Sequence, residues 1–132
     1  MGRRLILDTN ILIDYERGRL GLNVFDDDEL AIAAITVAEY QVGIELADSA
    51  KRAEHRAQAL TAIVTTVEVL DYTYATAQRH AQLIAHTRRS GRLRSAHDLI
   101  IAAHAAHTGR LVVSHDAAAR FGDLPGVVAE SP

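Results

Sequence analysis

The chain has no cysteine, so neither disulfides nor thiolate metal sites can hold it together, as befits a reducing, cytoplasmic setting. Long apolar runs are missing too. Only Leu5, Ile6 and Leu7 separate Arg3 and Arg4 from Asp8, far too few for a signal-peptide core or a membrane span. The expectation is a soluble cytoplasmic protein with no membrane partner. With two prolines and no low-complexity tract in 132 residues, the chain reads as one compact domain, 1–132. Lysine is nearly absent: Lys51 stands alone, in the wrong place to pair with a phosphoaspartate, which counts against a receiver-like phospho-acceptor. No His-Glu-x-x-His pattern occurs either. His97, His104 and His107 could share one helix face, yet a zinc site is set aside on that ground.

What is present is an alternation of short apolar runs and amphipathic stretches. Leu5–Leu7 reads as a buried strand, followed by a helix from Thr9 to Arg17 that Gly18 ends. Residues 20–29 read as irregular or a short helix, and 30–35 as a second strand. Thr36-Val37-Ala38-Glu39 fits the capping-box pattern and predicts a helix to about Ala47. Ser49 to Ile63 reads as the second arm of a helical hairpin, Thr65 to Leu70 as a strand, and Tyr72 to Arg89 as a long helix closed by Ser90-Gly91. Ser95-Ala96-His97-Asp98 is another capping-box match, opening a helix that Gly109 stops. Leu111–Val113 reads as a strand, 117–121 as a short helix, and Val127-Val128 as an edge strand. Strands alternating with helices predict an α/β fold, with a mostly parallel sheet covered on both faces.

Asp8, Glu39, Asp98 and Asp116 each begin a predicted helix, and Asp8, Glu39 and Asp116 directly follow strand-like runs. Parallel strands end on one edge of the sheet, so these side chains are expected to converge there, joined by Asp98 if its helix starts near the same edge. Each could merely cap a helix. The two roles are compatible, because a helix N-terminus stabilises the ionised carboxylate that a hard cation such as Mg2+ or Mn2+ requires. Asn10 and Ser114 lie close enough in sequence to orient a carboxylate or a water. Asp14, six residues past Asp8, reads as a solvated helix residue, and Asp71 is the decoy that also follows a strand. His115, beside Asp116, could touch a substrate.

The net charge of −3 argues at first against a nucleic-acid partner. Its distribution changes the picture. Residues 79–94 carry Arg79, Arg88, Arg89, Arg92 and Arg94 and no acid, and withdrawing four carboxylates into a metal site would leave the remaining surface slightly positive. Arg88, Arg89, Arg92 and Arg94 are therefore candidate contacts for RNA phosphates.

Leu5-Ile6-Leu7 followed by Asp8-Thr9-Asn10-Ile11-Leu12-Ile13-Asp14 resembles the opening motif of PIN-domain proteins. Ile35 to Tyr40 is similar to their second motif, Leu93 to Ala103 to their third, and Val112 to Phe121 to their fourth, with Ser114 where threonine is more usual. The motifs span nearly the whole chain in order, and its length matches the stand-alone VapC toxins of VapBC toxin–antitoxin pairs. The resemblance implies a three-layer α/β/α sandwich and a Mg2+- or Mn2+-dependent endoribonuclease. It makes Asp8, Glu39, Asp98 and Asp116 the catalytic set, with Asp8, Asp98 and Asp116 on the metal. It further implies a homodimer neutralised by a cognate VapB-type antitoxin, and a helix-capping role for Asp71. The alternative, from another class, is a non-catalytic module that binds RNA or protein and uses its carboxylates only as caps.

Overall fold

The computed structural model describes residues 2–132. Five strands, β1 (Arg4–Leu7), β2 (Glu29–Ala33), β3 (Glu68–Leu70), β4 (Leu111–Val113) and β5 (Ala129–Glu130), form one sheet in the order β3-β2-β1-β4-β5. Every neighbouring pair is parallel, so all strands point their carboxyl ends at the same edge. The helices are α1 (Thr9–Glu16), α2 (Ala34–Glu45), α3 (Ala50–Thr66), α4 (Tyr74–Ser90), α5 (Ala96–Thr108) and the single turn α6 (Ala117–Arg120).

The period-2 alternation of the short strands creates the layers. In β1, Leu5 and Leu7 face the side packed by Ile11 and Leu12 of α1, Tyr40 of α2 and Ile63 of α3. Ile6 faces the other side, with Leu83 of α4, Leu99, Ile101 and Ala102 of α5, and Phe121. Val112 and Val113 of β4 divide in the same way. The sheet is thus covered on both faces, the α/β/α arrangement expected, and its strands are parallel throughout rather than mostly so.

Connectivity decides where a site can form. From β1 the chain moves through β2 to β3 at one edge, then crosses by α4 and α5 to β4 on the other flank of β1. The order reverses between β1 and β4, whose last residues Leu7 and Val113 are in register. Such a reversal opens a crevice beyond the carboxyl ends of the two strands, because the loops leaving them diverge.

Several predicted boundaries move, each for a local reason. α2 starts at Ala34, two residues before the expected cap, and its N-cap Ala33 makes no side-chain bond. Thr36 is buried inside the helix, so the capping box there is not formed. Thr65 and Thr66 belong to α3 rather than to a strand, since their hydroxyls donate back to the Thr61 and Ala62 carbonyls and extend the helix to its end. The last strand is Ala129–Glu130, not Val127-Val128, because the pairing with β4 aligns Val112 with Ala129. Asp71 is exposed and does not cap α4; Thr73 does, in a reciprocal arrangement with Thr76. Gly91 and Gly109 end α4 and α5 in the left-handed conformation that side chains resist. Arg110, buried near the amino edge of the sheet, donates to the Leu5 carbonyl and to Glu68, a role the sequence does not announce. Among the described residues no helix is long and apolar enough to cross a membrane.

Candidate metal centre

Asp8 follows β1 directly and takes the N-cap position of α1 with extended backbone. Its own N–H completes the sheet by donating to the Val113 carbonyl at 3.0 Å, which fixes the residue beside the end of β4. Oδ1 accepts from the Thr9 N–H at 2.8 Å and Oδ2 from the Ser114 hydroxyl at 2.8 Å. Ser114 is fully buried and also accepts from Asn10 Nδ2 and from the Asp116 N–H. The Asn10 carbonyl oxygen accepts from the His115 N–H. Asn10 and Ser114 therefore bind the loop after β1 to the loop after β4, and they orient the Asp8 carboxylate and the Asp116 backbone together.

Asp98 arrives from α5. The Ser95 hydroxyl accepts from its N–H at 3.1 Å, the cap predicted from sequence, while its carboxylate turns toward Arg120. Asp116 sits at the N-cap of α6 but makes no side-chain cap bond, and it is about half exposed. A single guanidinium joins these three acids. Arg120 Nη1 donates to Asp8 Oδ2 at 3.1 Å, and its Nε lies 3.2 Å from Asp98 Oδ2 and 3.6 Å from Asp116 Oδ2. Nothing in the fourth motif marks Arg120 as a partner of Asp8 or Asp98, although its place four residues after Asp116 on a predicted helix signals the local pairing.

Glu39 comes from the second turn of α2 and completes the negative region. Burial pushes its carboxyl above the ordinary range, the charges of Asp8 and Asp98 push the same way, and His97 opposes them. His97 Nδ1 lies 3.0 Å from Glu39 Oε1 and lowers the carboxyl by charge and by hydrogen bonding, the one polar group among the described residues set against this buried oxygen. Asp98 is likewise raised, first by burial and then by Asp8, with Arg120 pulling it down.

For both groups the folded-state pKa lies above the unfolded one, so ionisation works against the fold. That cost is present at neutral pH and is relieved as pH falls through the raised pKa. Metal-free Glu39→Gln should therefore melt above the wild type at neutral pH. The gap should close as pH drops below the Glu39 folded-state value; a gap that widens on acidification would contradict the assignment. Thermal melts across pH make the comparison, and taking the difference cancels carboxylates common to both proteins.

Among the described residues, no three of His, Asp and Glu close into a ready coordination sphere. The reason is on hand, since Arg120 stands between the acids and a guanidinium is wider than a bare divalent ion. The donor chemistry nonetheless fits a hard cation: carboxylate oxygens, two of the acids buried, and a buried Glu39 oxygen at the rim.

Other expected residues fall into place around this pocket. Asp14 is not solvated; its carboxylate is bonded by His115 Nε2, which brings the second turn of α1 against the loop after β4. His104 is buried near Tyr72, away from His97 on Glu39, so the three histidines of α5 do not gather. Arg88 and Arg89 occupy the last turn of α4, where the helix dipole favours them. Arg92 and Arg94 instead line a cleft of about 290 Å3 with His86, Thr87, Ser90 and Asp123. Both pair with Asp123, at 2.7 and 3.9 Å, and the charge of Arg94 also reaches Asp98.

This geometry has counterparts in known proteins. Ribonuclease VapC5 of Mycobacterium tuberculosis is 34% identical over 113 residues, covering 84% of this chain and 82% of its own. The tRNA(fMet)-specific endonuclease VapC of Shigella flexneri is 29% identical over 120 residues and 86% of each chain. Among solved structures, VapBC-5 of Mycobacterium tuberculosis superposes with a TM-score of 0.82 at 27% identity over 98% of both chains. VapBC2 of Rickettsia felis, bound to a promoter DNA fragment, reaches a TM-score of 0.86 over 98% of both chains, and at 21% identity it speaks for the fold alone. The family model for the PIN domain matches residues 5–124, and with the parallel sheet and the acids at its carboxyl edge, the chain belongs to the PIN-domain family.

Proposed function

We propose that this protein is a VapC-type endoribonuclease, the toxin half of a toxin–antitoxin pair, that cuts RNA with the help of Mg2+ or Mn2+. The observation that carries this reading is that Asp8, Asp98 and Asp116, far apart in the chain, surround one cationic group at the switch point of the sheet, with Glu39 beside them. Asp8, Asp98 and Asp116 would hold the ion, and Asn10 and Ser114 would keep the Asp8 carboxylate turned toward it. When bound, the ion supplies Lewis-acid polarisation of a phosphodiester and a source of hydroxide at neutral pH. Glu39, with its raised pKa and a carboxylate set against His97, is suited to accept a proton from an attacking water and to orient it. Arg92 and Arg94, in the cleft beyond Asp98, are suited to backbone phosphates of a single-stranded RNA segment. A VapB-type antitoxin as partner, a homodimeric state and a cytoplasmic location complete the reading.

The test is cleavage of a transfer-RNA pool by the purified chain. Cleavage should vanish in EDTA and return with Mg2+ or Mn2+, while zinc or calcium should not substitute. The non-catalytic alternative draws on the fact that Arg120 already neutralises the acids within the fold. It is favoured if the protein binds RNA equally with and without EDTA and never cuts it.

A further inference from the structure

We propose that Arg120 is a resident counter-ion of the acid pocket: in the metal-free protein it holds Asp8, Asp98 and Asp116 together, and a divalent cation enters only as this guanidinium leaves. The proposal rests on the metal site described above and adds to it a competitor built into the chain.

Three observations carry it. First, all three contacts use the same side of the pocket. The Oδ2 atoms of Asp8, Asp98 and Asp116 each face Arg120, at 3.1, 3.2 and 3.6 Å. A divalent ion would need those oxygens far closer, about 2.0–2.1 Å for Mg2+, so the two cations cannot share the position. Second, a positive charge stabilises the pocket. The Asp8 and Asp98 side chains are only 4% and 10% exposed and converge on one guanidinium, and carboxylates so buried gain from a cationic partner. Arginine keeps its charge at every accessible pH and offers several donors in one plane, so it can serve acids from three elements at once.

Third, Arg120 has a way out. Its side chain is 39% exposed while its acid partners Asp8 and Asp98 are buried, so it reaches into the pocket from the solvent side. It ends the single-turn α6, and the next residue, Phe121, is fully buried and anchors the backbone. The guanidinium can swing away without moving the main chain. Arg120 is accordingly a positioning residue, acting through the three acids it contacts.

A purely structural ion bridge and a competing one give different results. Mn2+ titrated calorimetrically into EDTA-treated, dialysed protein should bind Arg120→Ala about tenfold or more tightly than wild type, a coupling of ordinary size between two ligands of one site. Arg120→Lys, which keeps the charge, should stay within about threefold of wild type. In melts, metal-free Arg120→Ala should be less stable than wild type, and saturating Mn2+ should bring it level. Equal or weaker Mn2+ binding by Arg120→Ala overturns the proposal while leaving the metal site standing. Absence of Mn2+ binding by wild type and variants alike overturns the metal site and the proposal with it. Should the alanine variant fail to fold, Arg120→Gln removes the charge, keeps hydrogen-bonding groups, and is read against the same outcomes.

Discussion

Replacing Asp98 with asparagine is expected to lower RNA cleavage on the order of 10^3-fold or more, the scale of loss when a group acting on transition-state charge is removed. The expectation combines three features of the residue. It is buried, its carboxylate shares Arg120 with Asp8, and its electrostatic neighbours include Glu39. Asparagine keeps the shape, the Ser95 cap on the Asp98 main-chain N–H, and an amide oxygen for the bond that Ser95 also makes with the side chain. The stability cost should therefore be small. Losing a negative charge in the first turn of α5 costs about 0.3–1 kcal/mol, while removing an ionised carboxylate from a buried position works the other way. Cleavage assays paired with denaturant melts separate the two effects. Near-normal cleavage by a well-folded Asp98→Asn protein would remove Asp98 from the catalytic set.

The largest expected effect on stability comes from a residue outside the acid set. Phe121 is fully buried among Ile101, Val112, Leu124 and Val127 on the α5 side of the sheet. Truncation to alanine should cost about 3–5 kcal/mol, through lost transfer energy and the cavity left behind. That is a large fraction of the total for a domain of this size. The consequence reaches the site, because a one-turn helix such as α6 cannot persist on its own hydrogen bonds. Phe121 is the largest apolar anchor of this turn, acting beside buried Ala117 and the bond from the Asp116 N–H to Ser114. Phe121→Ala should thus unfold at much lower denaturant and also bind Mn2+ more weakly, whereas Phe121→Leu should recover most of both. A loss below about 1 kcal/mol on equilibrium unfolding would mean that α6 is held by something else.

These two residues also mark how far the sequence can be read. The strand-then-acid order at Asp8 and Asp116 is legible because a short apolar run can only be a buried strand here, and parallel strands share an edge. Asp98 is legible through its serine cap. Glu39 is found, but its helix is misphased, since nothing in Ala33-Ala34 advertises a cap and the attractive Thr36 is spent inside the helix. Asp14 is misread because its partner His115 lies 101 residues away, and no local pattern reports a contact between a helix and so distant a loop. Arg120 escapes for a similar reason: its pairing with Asp116 is local, but its reach to Asp8 and Asp98 depends on how Phe121 seats α6. Periodicity carries the layers, while the ion pairs that finish the pocket follow from tertiary packing.

Acids delivered by β1, α5 and the loop after β4 are expected to bind a hard divalent cation jointly. Anomalous diffraction from crystals soaked in Mn2+ tests this most directly. The expected result is a peak within bonding distance of Asp8, Asp98 and Asp116, with the Arg120 side chain turned out of the pocket. A protein that cleaves RNA in the same Mn2+ concentration, yet shows its only peaks elsewhere and Arg120 still lodged between the acids, would contradict it.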